Sequence, residues 1–323
     1  APAVAAGGTM LDAARARLLT PSQVRELKRP APLVRGVLRM DTLAWIIAAP
    51  GSFKSFVALD LAARVAAGLA WAGQPVRKSG IVFYIAAEGA SGMSARIAAW
   101  EKIHDPMSDD VRVLPIAVQA SNPEAWAVLV ALVAEVRPVL VIVDTQARIS
   151  TSIKENDNTA MGELITRLDE LRRAAGSCIL VVHHTGRAGS HARGGSAIDG
   201  AQDTELRIER TGGPKALSAE ILIDKQKDGP DTDRIRVEMT TIDLGLDEYG
   251  DPVSSLVATC YPADPFPTNI EYQELPDDQA RILMVLRDQF HELGATEAAL
   301  LDAWAAVTST RGAKPDSVKR RFR

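Results

Sequence analysis

Two cysteines in 323 residues, Cys178 and Cys260, are too few for a disulfide framework. Each lies inside an apolar run, so the chain reads as reduced and cytoplasmic. A large charge of one sign is also missing. Lys and Arg number 37 against 41 Asp and Glu, a formal charge of −4. That excludes a strongly basic nucleic-acid coat and leaves room for a local basic channel in an assembly. No apolar run approaches the roughly 18 residues that a membrane helix needs. Residues 1–9 lack the basic flank and apolar core of a secretory signal, and no internal repeat is visible. What is there, 46% apolar with 24% charged residues, is the composition of a folded globular chain of about two domains.

Residues 1–32, rich in Ala, Arg and Pro, read as an N-terminal arm or linker, with a helix start at Thr20-Pro21-Ser22-Gln23. From about 41, short apolar runs alternate with helical stretches. Strands are expected at 43–48, 81–86, 111–116, 139–143 and 178–182, and helices at 54–67, 124–136 and 161–175. Strands buried on both faces and separated by helices argue for a mostly parallel α/β sheet. After about 203 the helices stop. Strands at 204–208, 217–223, 234–239 and 254–259, with turn signals at Gly212-Gly213-Pro214 and Asp228-Gly229-Pro230, read as an antiparallel extension of the same sheet. The expected core is 33–262, followed by a linker over 263–276 and helices within 277–323.

Ala48-Ala49-Pro50-Gly51-Ser52-Phe53-Lys54-Ser55 sits between a strand and a helix, the context a phosphate loop needs. There the loop Pro50-Gly51-Ser52-Phe53-Lys54-Ser55-Phe56 would hold the anion, through its backbone N–H groups and the helix N-terminus. Lys54 reaches the phosphates and Ser55 binds Mg²⁺. Ala48 and Phe53 stand where the motif has glycine, so a chance Lys-Ser after a strand is the competing reading. Asp144 ends an apolar strand, placed to hold the water shell of Mg²⁺. Glu88 follows another strand directly, placed to orient and deprotonate an attacking water. Each is commonplace alone; the three in this order are hard to reach by accident.

With these residues in view, the chain resembles the RecA-fold hexameric ATPases, in particular plasmid RepA-type and DnaB-type replicative helicases and their phage relatives, over about residues 33–245. Pro50-Gly51-Ser52-Phe53-Lys54-Ser55-Phe56, Tyr84-Ile85-Ala86-Ala87-Glu88-Gly89 and Val143-Asp144-Thr145 carry the resemblance. So do His183-His184-Thr185-Gly186, Ala192-Arg193-Gly194-Gly195-Ser196, and Ile223-Asp224-Lys225-Gln226-Lys227-Asp228-Gly229-Pro230. The resemblance implies a RecA-like P-loop core that binds ATP and Mg²⁺, with Glu88 catalytic and His184 sensing the γ-phosphate. It implies that the loop 186–195, with Arg187, His191 and Arg193, lines a pore and touches single-stranded DNA. The competing reading of that loop is an ordinary surface loop. Lys225 and Lys227 would act in trans on the neighbouring subunit's nucleotide, Lys227 replacing the usual Arg; the alternative is a solvated charged hairpin. Asp203 stands near the place of the RepA-type arginine finger and cannot do that job. A zinc site at His183, His184 and His191 is disfavoured, because no Cys or acid stands at ligand spacing.

Residues 277–293, 296–307 and 315–323 read as three helices. They are either the start of a winged-helix DNA-binding domain or a basic tail on a small bundle, since 311–323 carry six Lys and Arg against Asp316. The resulting expectation is a homo-oligomeric DNA helicase or translocase, hexameric in the family's manner, without a membrane partner. A loader ATPase that does not unwind, or an ATP-switched DNA-binding regulator, would share the same core.

Overall fold

The computed structural model describes residues 10–27, 29–151, 153, 157–184, 195–213, 215–227 and 234–262. The arm holds two short helices, α1 (Met10–Arg15) and α2 (Pro21–Glu26), the latter closed by a capping box in which the Thr20 side chain accepts from Gln23 N and the Gln23 side chain from Thr20 N. A small hairpin, β1 (Pro32–Val34) with β2 (Leu38–Arg39), leads into β3 (Leu43–Ala48) and α3 (Lys54–Ala67). Next come β4 (Val82–Ala86), α4 (Ala90–Glu101), β5 (Val111–Leu114), α5 (Pro123–Val136), β6 (Leu140–Asp144), α6 (Gln146–Ile149) and α7 (Asn158–Ala175). The unit closes with β7 (Cys178–His184), α8 (Gly195–Ala201), β8 (Thr204–Thr211), β9 (Ser218–Gln226), β10 (Arg234–Leu246) and β11 (Pro252–Pro262). The helices expected in 277–323 lie outside the described residues. No described helix is long and apolar enough to cross a membrane.

Nine strands form one sheet in the order β11-β10-β9-β8-β3-β7-β6-β4-β5. The six from β8 to β5 run parallel, while β9 is antiparallel to β8 and β10 to β9. This is the α/β architecture of a RecA-like P-loop ATPase, a mostly parallel sheet with an antiparallel extension.

The pleat divides the core in two. Ala44, Ile46 and Ala48 of β3, Tyr84 of β4, Leu140 and Ile142 of β6, and Leu180 and Val182 of β7 join the cluster under α3. Their alternates Trp45, Ile47, Phe83, Val141, Val143, Ile179 and Val181 join the cluster under α5 and α7. Parallel strands covered on both faces therefore read as continuous apolar runs.

Some elements differ from the expectation. Strands β8 to β11 are longer than their apolar runs, because ladder pairing continues where side chains are exposed, as at Asp243 and Leu246. Helix α4 was not expected; it buries Met93 and Trp100 and packs Ile97 on one face, a short stripe that Ser91, Gly92 and Ser94 interrupt in the sequence. Helix α8 precedes β8, where the sequence suggests that the 186–195 loop runs straight into the strand; residues 185–194 lie outside the described residues. Its Gly195-Ser196-Ala197 start hides it in a Gly-rich stretch.

One buried carboxylate ties α3 to α4. Asp60 Oδ1 accepts from Trp100 Nε1 at 3.1 Å, and Oδ2 accepts from Trp71 Nε1 at 3.1 Å. Arg64 Nε lies 3.4 Å from Oδ1. Burial raises the Asp60 pKa, against the pull of Arg64 and the Trp100 hydrogen bond. The folded chain therefore holds more protons than the unfolded one between the two pKa values, and this group's contribution to stability declines as pH rises through the folded value. Asp60→Asn leaves one acceptor oxygen for two indoles. It is expected to cost roughly 1–3 kcal/mol in urea unfolding and to flatten that pH dependence. An unchanged midpoint would show that the two indoles find other partners.

Candidate functional site

Parallel register brings four strand ends to one edge of the sheet. Ala48 pairs with His184, Val182 with Asp144, and Asp144 with Ala86. Pleat parity then decides which side chains face α3. Asp144 and Tyr84 share the parity of Ile142 and Val82, and His184 that of Val182, so all three stand on the α3 side. His183 falls on the opposite face and is buried.

The turn from β3 into α3 is tight. Gly51 has φ 75° and Phe53 φ 64°, both left-handed. Phe53 adopts this conformation despite its Cβ, in the place where the motif has glycine. Its ring is buried, with the Arg210 guanidinium 4.7 Å from the centroid. Pro50 and Gly51 are exposed, Ser52 is buried, and Ser55 and Phe56 are half-buried on the first turn of α3. Lys54 folds back over the loop, donating to the carbonyls of Ala49 at 2.8 Å and Ala48 at 3.2 Å. Burial lowers its pKa to about 8, against the stabilising charges of Asp144 and Glu88.

Asp144 is buried, and Tyr84 Oη donates to its Oδ2 at 2.7 Å. Burial raises its pKa, countered by hydrogen bonding from Tyr84 and Ser55 and by the charge of Arg96. Its Oδ1 is buried without a hydrogen-bond partner among the described residues. A buried carboxylate oxygen with spare lone pairs next to a serine hydroxyl suits a hydrated divalent cation, so Ser55 and Asp144 fit Mg²⁺. Glu88, just past β4, is exposed; its Oε2 accepts from Thr145 Oγ1 at 3.0 Å, and its backbone N–H donates to Asp144 O at 3.0 Å.

The helix ends match this chemistry. Helices α5 and α7 carry side-chain caps, Asn122 accepting from Ala125 N and Asp157 from Thr159 N and Ala160 N. Helices α3 and α4, which start beside Lys54 and Glu88, have no side-chain cap. Their first amides are left to donate to an anion.

Tyr84, Thr145 and Arg96 were not among the expected site residues. Tyr84 and Thr145 stand inside the quoted motifs, and parity and contact reveal their roles. Arg96 lies on the unexpected α4; its guanidinium stands 5.0 Å from the Phe56 ring centroid and reaches the Glu88-Gly89 turn. A basic residue two helical turns after the strand-end acid was the available signal.

Lys225 and Lys227 are not brought to this edge. Lys225 pairs across the ladder with Glu205, near the amino end of β8, and Lys227 N donates to Asp203 O at 3.0 Å. Lys225 Nζ donates to Asp199 O, and Lys227 Nζ lies 3.4 Å from Asp203 Oδ1. Arg187, His191 and Arg193 lie outside the described residues.

With Lys54 poised near pH 8, phosphate binding at this loop takes up a proton in alkaline buffer. Affinity for Mg-ATP is expected to fall by up to about tenfold per pH unit above that value. Calorimetric titration between pH 7 and 9.5, in buffers of different ionisation enthalpy, reads both quantities. A flat profile with no proton uptake would place the phosphate away from Lys54.

A family model described as an AAA domain matches residues 13–190, more than half of the chain. The match takes in Lys54, Ser55, Glu88, Asp144 and His184 and stops short of Lys225 and Lys227. No curated protein matches the chain.

Proposed function

The chain belongs to the AAA domain family of P-loop ATPases, and from that premise we propose that it is an ATP-dependent, ring-forming DNA helicase or translocase that hydrolyses ATP between subunits. One observation carries this reading. The phosphate loop, Asp144, Glu88 and His184 share the carboxyl edge of the parallel sheet, while Lys225 and Lys227 stand toward its amino edge. Lys225 lies level with Trp45 of β3, three residues short of Ala48, and two strands across. That is about 10 Å along the strands and about 10 Å across the sheet. One chain therefore does not bring both sets to one phosphate, and a ring of identical subunits joined head to tail does so at every interface.

At such an interface the loop amides and Lys54 bind the phosphates, with Lys54 exchanging its carbonyl contacts for phosphate oxygens. Ser55 and Asp144 would hold Mg²⁺, which would supply neutralisation of the phosphate charge. Thr145 holds the Glu88 carboxylate, which takes the proton of the attacking water as its oxygen bonds to the γ-phosphorus and the bond to ADP breaks. The neighbour's Lys225 and Lys227 balance the developing charge. His184, beside the loop at the end of β7, answers loss of the γ-phosphate. The loop that follows it, with Arg187, His191 and Arg193, contacts the backbone of single-stranded DNA without selecting sequence. The same ATPase core would serve a loader, so ATP-driven opening of a forked duplex is the activity that separates the two.

Two variants divide binding from chemistry. Lys54→Ala is expected to weaken nucleotide binding and abolish turnover. Glu88→Gln is expected to keep binding and lose hydrolysis by roughly 10²–10⁴-fold. Equal loss of binding in both would make Glu88 a structural residue.

Mixing tests the shared site. Lys54→Ala and Lys225→Ala/Lys227→Ala preparations should each be inactive alone. Once subunits exchange, an interface that pairs an intact loop with intact lysines should recover activity, at about one interface in four for random mixing. No recovery, with exchange shown by labelling, would mean that the lysines do not act across an interface.

A further inference from the structure

Asp203 joins three strands toward the amino edge of the sheet. Its backbone N–H donates to Leu43 O at 2.8 Å, and its Oδ2 accepts from Leu43 N at 3.1 Å. Its carbonyl accepts from Lys227 N at 3.0 Å, and its Oδ1 faces Lys227 Nζ at 3.4 Å. The Asp203 side chain is 25% exposed and that of Lys227 65% exposed. A carboxylate anchored on the backbone of β3 thus holds an ammonium that stands in solvent.

The two carboxylate oxygens have separate duties. Leu43 N–H needs one acceptor, which an amide oxygen also supplies. The second oxygen, with the negative charge, serves Lys227. A lysine carries four rotatable bonds and a point charge without the planar fork of arginine, so an ammonium meant for a fixed target needs an external guide. Lys225 is held differently, by the carbonyl of Asp199 at the end of α8.

We propose that Asp203 is a positioning residue for Lys227, holding its ammonium on the surface that faces the neighbouring subunit's phosphates. The role rests on the trans action of Lys227. Asp203 itself touches no substrate. It narrows the positions open to the lysine before the neighbour's nucleotide arrives, and it yields the ammonium when phosphate offers the stronger partner. Lysine at this place thereby gains, from a neighbouring carboxylate, part of the direction that arginine carries in its own geometry.

The test is steady-state ATP hydrolysis by the full chain in the presence of single-stranded oligothymidine, comparing wild type, Asp203→Asn, Lys227→Ala and the double variant. Asp203→Asn retains the Leu43 contact and removes the charge. It is expected to lower kcat roughly tenfold and to leave the KM for ATP within about twofold, because the phosphate loop lies on the other chain. In the Lys227→Ala background the same change should add nothing. Rising salt should draw the wild-type kcat toward that of Asp203→Asn, since the pair is open to solvent. An unchanged or raised kcat in Asp203→Asn overturns the proposal. So does a further loss on top of Lys227→Ala, which would mark Asp203 as a strand tie alone; thermal midpoints of all four proteins read that directly. If Lys227→Ala is impaired and Asp203→Asn is not, only the positioning role falls. If Lys227→Ala itself turns over like wild type, trans action falls and the positioning role with it.

Discussion

The parallel register of β3, β7, β6 and β4 is the constraint on which the rest of the molecule depends. Parallel neighbours need a crossover between them, and the crossovers here place α3 and α4 against one face and α5 and α7 against the other. Every parallel strand therefore ends at the same edge. Residues as far apart in the chain as Glu88, Asp144 and His184 meet there without any motif linking them directly. A slip of one residue in β6 would turn Asp144 from α3 toward α7 and bury a carboxylate among Trp126, Leu164 and Leu168.

Burial disfavours the charged forms of two groups at this edge. Lys54 is pushed down to about 8 and Asp144 is pushed up, and in both cases desolvation is the largest cause. Asp144 also stabilises the charge of Lys54. Asp144 Oδ1 has acceptor capacity to spare among the described residues, and the first turns of α3 and α4 carry no side-chain cap. A magnesium-bound polyphosphate would engage both at once, so residues that look costly in isolation suit the receptor proposed above.

Much of this was legible in the sequence, for reasons that differ by element. Helix α3 runs from Lys54 to Ala67 as its apolar spacing predicts, since its start is set by the turn and its end by Gly68 in the left-handed conformation. Strands β3, β4, β6 and β7 are continuous apolar runs and could hardly be anything else between helices. Helix α4 was missed because Ser91, Gly92 and Ser94 break up the short stripe of Met93, Ile97 and Trp100, and Arg96 was lost with it. The pairing of Asp60 with Trp71 and Trp100 was invisible as well. Nothing in a lone aspartate on an apolar helix face says which indoles will reach it. Pleat parity separated His184 from His183, a distinction that depends on where β7 starts and so on its pairing with β3 and β6.

The clamp at Asp60 has a consequence for how the catalytic spacing is kept. Helix α3 begins at Lys54 and α4 begins just after Glu88, so the start of each helix fixes the place of one of these two residues. Phe56 meets Arg96 at one level, and one turn later Asp60 meets Trp100. Two contacts a helical turn apart on both partners make a pair of rails with fixed gauge. The separation of lysine and glutamate is then a property of the rails and not of the loops that precede them. A phosphate loop relieved of that duty tolerates unusual composition, and Phe53, in a place that elsewhere demands glycine, is the freedom that the rails confer.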